Sequence, residues 1–342
     1  MENMNKPFKI LCIDGGGIKG VYSAQVLAEL EEAFKTKTSE HFDLVCGTST
    51  GGIIALGVAG GIPMEEVVKF YMEKGPQIFS QNCKIGKLGE WLFTFKQAVF
   101  KSKYSDKKLK EALGEVFGSR KIGSSQNLLC IPAFNITTSN PRIFKKDYKH
   151  LNQDDEKTFV DVALATAAAP TYFPIKTIDD VQYVDGGLFA NNPVLVGLTE
   201  AILNGYWIKP KSERTDDDFD GVEILSISSC VIPQGDYAKK ESRSFMRWIS
   251  TLFDAYANGQ NKTNDFFIKQ IKTHLDFEIE IKRIENSPIS CIQAKKVSMD
   301  NASKASLSIL KGIGSVVGNN AKNDPLVKKL YSESKTIDPS II

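Results

Sequence analysis

Residues 42–59 read FDLVCGTSTGGIIALGVA. Phe42 to Cys46 is a short apolar run of the kind that forms a buried strand, and Gly47-Thr48-Ser49-Thr50-Gly51-Gly52 is small and turn-forming. Ile53 to Ala59 then resumes as an apolar helix. Earlier in the chain the same unit occurs with Phe8 to Ile13 as strand and Asp14-Gly15-Gly16-Gly17-Ile18-Lys19-Gly20 as loop. Val21 to Phe34 is its helix, with Glu29, Glu31 and Glu32 on the outer side. Two such units in close succession call for parallel strands, because parallel neighbours need crossover connections and cannot be joined by tight turns.

Further strands are expected at Leu128 to Phe134, Gln182 to Val184, Val222 to Ser228 and Asp276 to Ile284. The helices expected between and after them run from Asp106 to Phe117, Val160 to Ala168, Pro193 to Leu203 and Ser244 to Ala257. Lys211 to Asp220, KSERTDDDFD, reads as an acidic surface loop. The expectation is an α/β protein whose mostly parallel central sheet is covered by helices on both faces. Residues 8–230 form its core, and residues 231–342 form an extension that completes the fold and offers a regulatory surface.

Composition narrows the classes. The 342 residues are 42% hydrophobic and 25% charged, which fits a globular protein and excludes disorder, collagen and coiled coil as global descriptions. With 43 Lys and Arg against 41 Asp and Glu, the net charge of +2 gives no broad signal for a nucleic acid polymer. Met1 to Lys6 is polar and lacks the apolar stretch of a secretory signal, and Ile53 to Pro63 falls far short of the ~20 apolar residues of a membrane span. A cytoplasmic protein that does not cross the bilayer is expected. Cys12, Cys46, Cys83, Cys130, Cys230 and Cys291 contain no CxxC pair and read as small buried hydrophobes, with neither a zinc site nor a disulfide framework.

Three signals carry chemistry. Gly47-Thr48-Ser49-Thr50-Gly51 is a G-x-S-x-G between strand and helix, the context of a nucleophile elbow. Gly47 and Gly51 let the chain turn, and Ser49 stands at a helix N-terminus, where free amides favour a developing anion. The loop Gly15-Gly16-Gly17 offers bare backbone amides that an acyl-transfer oxyanion needs about 3 Å away. Asp185-Gly186-Gly187, followed by Asn191-Asn192-Pro193, puts a carboxylate at a strand end. A serine needs a base, and partial burial would raise Asp185 from the usual ~3.9 toward that task.

Two alternatives stay open on these residues. Gly15, Gly17 and Gly20 also satisfy G-x-G-x-x-G, so a nucleotide-binding module using the first glycine loop is one. That fingerprint expects an acidic residue at the end of the second strand, where this chain has Gly47-Thr48-Ser49. The other is an α/β hydrolase with a Ser49–Asp185–His274 triad, which has the right order but no turn chemistry around His274. His41, His150 and His274 have no metal-ligand spacing, so no metal centre is expected.

With DGGGIKG at 14–20, GTSTG at 47–51, ATAAAPTYFP at 165–174, DGG at 185–187 and NNP at 191–193, the chain resembles the patatin-like phospholipases over roughly its first 230 residues. The resemblance implies a three-layer α/β/α patatin-like fold and a Ser-Asp dyad. Ser49 is then the nucleophile, Asp185 the base, and Gly15, Gly16 and Gly17 the oxyanion hole. Lys19 stands where the family commonly has Arg, and Ser226-Ile227-Ser228-Ser229-Cys230 replaces the Gly-Thr-Gly turn that relatives often have. The implied reaction cleaves fatty acids from membrane glycerophospholipids through an acyl-enzyme, with no metal or organic cofactor; acyl position and headgroup are left undetermined.

Lys84 to Lys110 holds eight lysines interleaved with Trp91, Phe93, Phe95 and Phe100, a pattern suited to a peripheral membrane surface and equally to a core-packed helix with a lysine face. A narrower similarity is to the compact bacterial patatin-like effectors of anti-phage systems, which implies a cyclic nucleotide activator. Arg243, Arg247 and Trp248 would then be the residues to contact it. Whether the chain forms a homo-oligomer is left open.

Overall fold

The computed structural model describes residues 6–80, 102–149, 151–204, 207–232 and 245–338. β1 (Pro7–Ile13) leads through the glycine loop into α1 (Gly20–Phe34), and β2 (Leu44–Gly47) leads into α2 (Thr50–Ala59). Next come α3 (Met64–Ile78), α4 (Asp106–Phe117), the hairpin of β3 (Leu128–Asn135) and β4 (Asn140–Lys145), and α5 (Phe159–Thr166). A second hairpin, β5 (Lys176–Ile178) and β6 (Val181–Asp185), precedes α6 (Gly187–Ala190), α7 (Val194–Thr199) and β7 (Gly221–Ile227). The later chain adds α8 (Phe245–Ile271), β8 (Glu278–Ile284), α9 (Cys291–Ala294), α10 (Lys304–Ala321) and α11 (Pro325–Ser332).

The strands form one sheet in the order β5-β6-β3-β2-β1-β7-β8, with β4 on β3 off this path. The five strands from β3 to β8 in this order run parallel, while β4, β5 and β6 pair antiparallel. Alternation along the strands assigns the two faces. Leu11, Ile13, Val45, Leu129, Ile131 and Leu225 join the core under α1, α2, α3, α5 and α10. Phe8, Ile10, Cys12, Leu44, Cys46 and Ile224 join the opposite core under α7 and α8. Helices on both faces of a mostly parallel sheet make the three layers.

One feature of register positions the site. β2 pairs with β3 as far as Cys46 opposite Cys130, and β6 pairs with β3 from the other direction as far as Asp185 opposite Ala133. β4 occupies the other edge of β3 from Cys130 to Asn135. β2 and β6 therefore lie end to end along the same edge of β3 and run toward each other, with only Ile131 and Pro132 between their last partners.

Cys12, Cys46, Cys130 and Cys230 are buried, as small hydrophobes would be, whereas Cys291 is exposed at the start of α9. Cys83, Trp91, Phe93, Phe95 and Phe100, the centre of the basic aromatic segment, lie outside the described residues, as does Arg243. Arg247 and Trp248 fall within α8, with their side chains outside the description. Among the described residues no helix is long and apolar enough to cross a membrane.

Candidate active site

The turn from β2 into α2 puts Ser49 at φ 56 and ψ −123, a conformation that a side-chain-bearing residue adopts only when its surroundings enforce it. Three hydrogen bonds do so. Thr48 Oγ1 donates to the Ala190 carbonyl at 2.6 Å, Ser49 N donates to Thr166 Oγ1 at 2.9 Å, and Thr166 Oγ1 donates to the Pro132 carbonyl at 2.6 Å. Small residues are needed where the chain doubles back: a Cβ on Gly47 would lie 2.1 Å from the Gly51 oxygen, and one on Gly51 would lie 2.3 Å from the Ile13 oxygen.

Asp185 ends β6 and is 1% exposed. Ser49 Oγ donates to its Oδ2 at 2.6 Å, and the Gly187 amide donates to its Oδ1 at 2.7 Å. The glycine at 186 follows from the close approach of β3, since a Cβ there would meet the Pro132 oxygen at 2.2 Å. Burial pushes the Asp185 carboxyl up from 3.8 to about 6, against the pull of the Ser49 and Gly187 hydrogen bonds. A buried carboxylate titrating near neutrality and hydrogen-bonded to a serine has the reach and the basicity to take its proton.

The first glycine loop lies beside this pair. The Gly15 amide donates to the Asn191 carbonyl at 3.0 Å and the Gly16 amide to Thr50 Oγ1 at 3.2 Å, so both are engaged within the protein. The Gly17 amide has no protein acceptor among the described residues, and Gly17 lines the same cavity as Ser49. Of the three expected donors, Gly17 is thus the one free to meet an oxyanion without exchanging a partner. Lys19 is buried in the first turn beyond the loop, and its charge opposes the burial that pushes the Cys230 thiol up to about 11.

A cavity opens from Ser49 and Asp185. Its walls are apolar: Ile53, Phe70, Ile78, Phe79, Phe173 and Met299 among them. The ATAAAPTYFP stretch supplies Thr166 to the elbow and Ala167, Ala169, Tyr172 and Phe173 to the wall.

Two alternatives open in the sequence are corrected here. His274 precedes β8 at the end of the sheet opposite Ser49, and its ring pairs with Thr273 and the Gln270 carbonyl. Both Asp185 oxygens are taken by Ser49 and Gly187, so no Ser49–Asp185–His274 triad forms. The dinucleotide reading fails because the Gly15 and Ile18 amides donate to the Asn191 and Met299 carbonyls, and the Met299 oxygen would lie 2.2 Å from a Cβ on Gly17. A diphosphate would find the Gly17 amide alone without a protein acceptor among the described residues, in a loop crowded by the Met299 oxygen. Among the described residues no cluster of His, Cys, Asp and Glu is arranged to hold a metal.

Four contributors escaped the sequence reading: Thr166, Ser229, Arg283 and Met299. Ser229 packs on Gly16, and Arg283 on β8 holds Asp14 at the head of the loop. Thr166 had a local signal, a lone hydroxyl in an alanine run. The contacts of Arg283 and Met299 bridge most of the chain and leave no local trace.

Compared with known proteins, the chain matches the family model for patatin-like phospholipases over residues 11–198. It is 34% identical over 323 residues to a cGAMP-activated phospholipase of Pseudomonas aeruginosa, covering 93% of this chain and 90% of that protein. A protein of the same name from Vibrio cholerae is 29% identical over 330 residues, covering 92% and 91%. Patatin-like protein 4 of Arabidopsis thaliana is 26% identical over 355 residues, covering 92% and 85%.

Proposed function

Since this chain belongs to the patatin-like phospholipase family, and so is a lipid acyl hydrolase, we propose that it cleaves fatty-acyl esters of membrane glycerophospholipids through Ser49 and Asp185. The observation that carries this reading is the 2.6 Å hydrogen bond from Ser49 Oγ to Asp185 Oδ2 at the head of an apolar cavity. Asp185 takes the hydroxyl proton as Ser49 Oγ attacks the ester carbonyl. The tetrahedral oxyanion is met by the Gly17 amide and the N-terminus of α2, with the Gly16 amide able to turn from Thr50. Collapse breaks the ester bond, and the departing lysophospholipid oxygen receives the proton from Asp185. Water then gives its proton to Asp185 and attacks the acyl-Ser49 carbonyl, and return of that proton to Ser49 releases the fatty acid.

The names of the bacterial relatives support a second element of the reading: activity rises when a cyclic nucleotide such as cyclic GMP-AMP binds, as in an effector of anti-phage defence. The enzyme then works peripherally at the inner membrane face. On this reading residues 8–230 carry the chemistry, and residues 231–342 complete the fold and hold the regulatory surface. Fatty-acid release from phospholipid vesicles and labelling by a fluorophosphonate, each with and without cyclic GMP-AMP, test it. Wild type and His274→Ala are expected to label and turn over, whereas Ser49→Ala does neither and Asp185→Asn turns over at least about a hundredfold more slowly. Turnover and labelling that survive Ser49→Ala would overturn the dyad.

A further inference from the structure

Between Ala190, where α6 ends, and Val194, where α7 begins, the chain has left one helix without entering the next, and helix ends leave backbone groups that need partners from elsewhere. The segment from Leu188 to Asn192 finds them on α8. Gln260 uses both ends of its amide: Oε1 accepts from the Asn191 amide at 2.9 Å, and Nε2 donates to the Leu188 carbonyl at 3.4 Å. Tyr256 donates its hydroxyl to the same carbonyl, and Asn264 Nδ2 donates to the Asn192 carbonyl at 2.8 Å. Tyr256, Gln260 and Asn264 follow one another at helical i, i+4 spacing and so share one face of α8.

The reacting groups are aimed from the segment that α8 holds. Its Ala190 carbonyl accepts from Thr48 Oγ1 at the elbow, and its Asn191 carbonyl accepts from the Gly15 amide of the glycine loop. Gly187, the residue before it, gives its amide to Asp185 Oδ1. We propose that Gln260 is a positioning residue for the acyl transfer, its amide fixing this segment and through it the Asp185 carboxylate, the elbow and the glycine loop together. Gln260 acts through the backbone of residues 188 and 191 and bonds neither Ser49 nor Asp185. α8 belongs to residues 231–342, so the inference rests on the Ser49–Asp185 reading and gives the extension a direct hold on that site.

The test is kcat, KM and the acid limb of kcat/KM on p-nitrophenyl butyrate, measured on the full chain with cyclic GMP-AMP present. Gln260→Met keeps the length of the side chain and removes both hydrogen bonds, and it exchanges one uncharged group for another, so it brings no new charge to bear on Asp185. Misplacing a reacting group by about 1 Å can cost on the order of a hundredfold, so kcat should fall about tenfold or more with KM little changed. Burial and the Ser49 and Gly187 hydrogen bonds set where Asp185 titrates; slackening the Gly187 bond, which favours the charged form, moves the acid limb to higher pH. A purely structural defect would lower the amount of active enzyme and leave the limb in place. Lys262→Met, at an exposed position of the same helix, should leave both kcat and the limb unchanged. Tyr256→Phe removes one hydroxyl from an exposed residue and should move both in the same direction by less, and it decides alone if Gln260→Met does not fold. An unchanged kcat, or a lower kcat with the limb in place, would overturn the proposal while leaving the dyad intact. Turnover that survives Ser49→Ala would instead overturn the reading on which it rests.

Discussion

The Arg283 guanidinium meets the Asp14 carboxylate with two nitrogens, Nη2 at 2.6 Å from Oδ2 and Nη1 at 3.2 Å from Oδ1. This pair ties β8 to the residue that begins the glycine loop. Nη1 also donates to Ser226 Oγ at 2.7 Å, and Nε faces Glu285 at 3.0 Å and Asp265 of α8 at 3.3 Å. One cation thus serves three carboxylates, the innermost of them 1% exposed. Burial raises the Asp14 carboxyl above its ordinary range while Arg283 pulls it back.

Removing that cation leaves a buried charge without compensation, which typically costs about 3–5 kcal/mol. Arg283→Met is therefore expected to lower stability by that order in urea unfolding. Asp14→Asn placed in the Arg283→Met background returns part of the loss, because the orphaned charge goes with it. The two changes should couple by on the order of 1–3 kcal/mol. Strict additivity would show that the pair contributes nothing specific to holding the loop.

Asp185 predicts the acid limb of the pH profile. Its carboxyl is raised from 3.8 to about 6, with burial as the largest cause. A base must be ionised to accept the Ser49 proton, so the active form is lost as pH falls through about 6 and is present above it. kcat/KM on a soluble ester should fall about tenfold per pH unit below that value and level off above it. A limb near pH 4 would mean that burial does not raise the carboxyl that acts as the base.

The elements that position the site were legible because their signals are local. An apolar run before DGGG or GTSTG and an apolar helix after it announce β1-α1 and β2-α2 to within a few residues. The β5–β6 hairpin was hidden because its two-residue turn is Asp179-Asp180, at φ 49 and 61, rather than the Asn-Gly or Asp-Gly that marks such turns. α10 reads as a polar tail because glycines weaken its helical pattern, yet Gly314 and Gly318 are what let it lie on α1, where a Cβ would come 2.7 Å from the Tyr22 oxygen and 3.0 Å from the Val26 oxygen. For α11 the signal was present and unread: Asp324 caps the helix and Pro325 opens it. The identities of Ser49 and Asp185 were readable from motifs. Their meeting depends on β2 and β6 converging along β3, a matter of register that no local pattern records.

Thr166 is expected to matter through geometry alone. Its hydroxyl accepts from the Ser49 amide and donates to the Pro132 carbonyl, which holds Ser49 in its strained conformation. Thr166→Val keeps the shape and leaves both buried backbone groups unpaired, at about 1–3 kcal/mol. kcat should fall by about tenfold or more with KM little changed, and Thr166→Ser should restore most of it. An equal loss in Thr166→Ser would assign the effect to packing of the γ-methyl group instead.

Gly16 and Gly17 should respond differently to the same substitution, because different atoms crowd them. A Cβ on Gly16 would lie 2.5 Å from Ser229 Cβ, a side-chain clash at a residue whose φ of −176 suits any amino acid. Gly16→Ala is expected to lower activity by about tenfold or more, since a shifted loop loses its aim at the oxyanion. Gly16→Ala with Ser229→Gly removes the clashing atoms and should regain most of that activity. Gly17 has φ +61, and a Cβ there would lie 2.2 Å from the Met299 carbonyl oxygen, a main-chain atom that no side-chain change removes. Gly17→Ala should therefore be inactive, and shortening Met299 to Ala should not rescue it. Fluorophosphonate labelling rates of the four variants decide this: rescue at position 17, or none at position 16, would show that the loop is not held by these contacts.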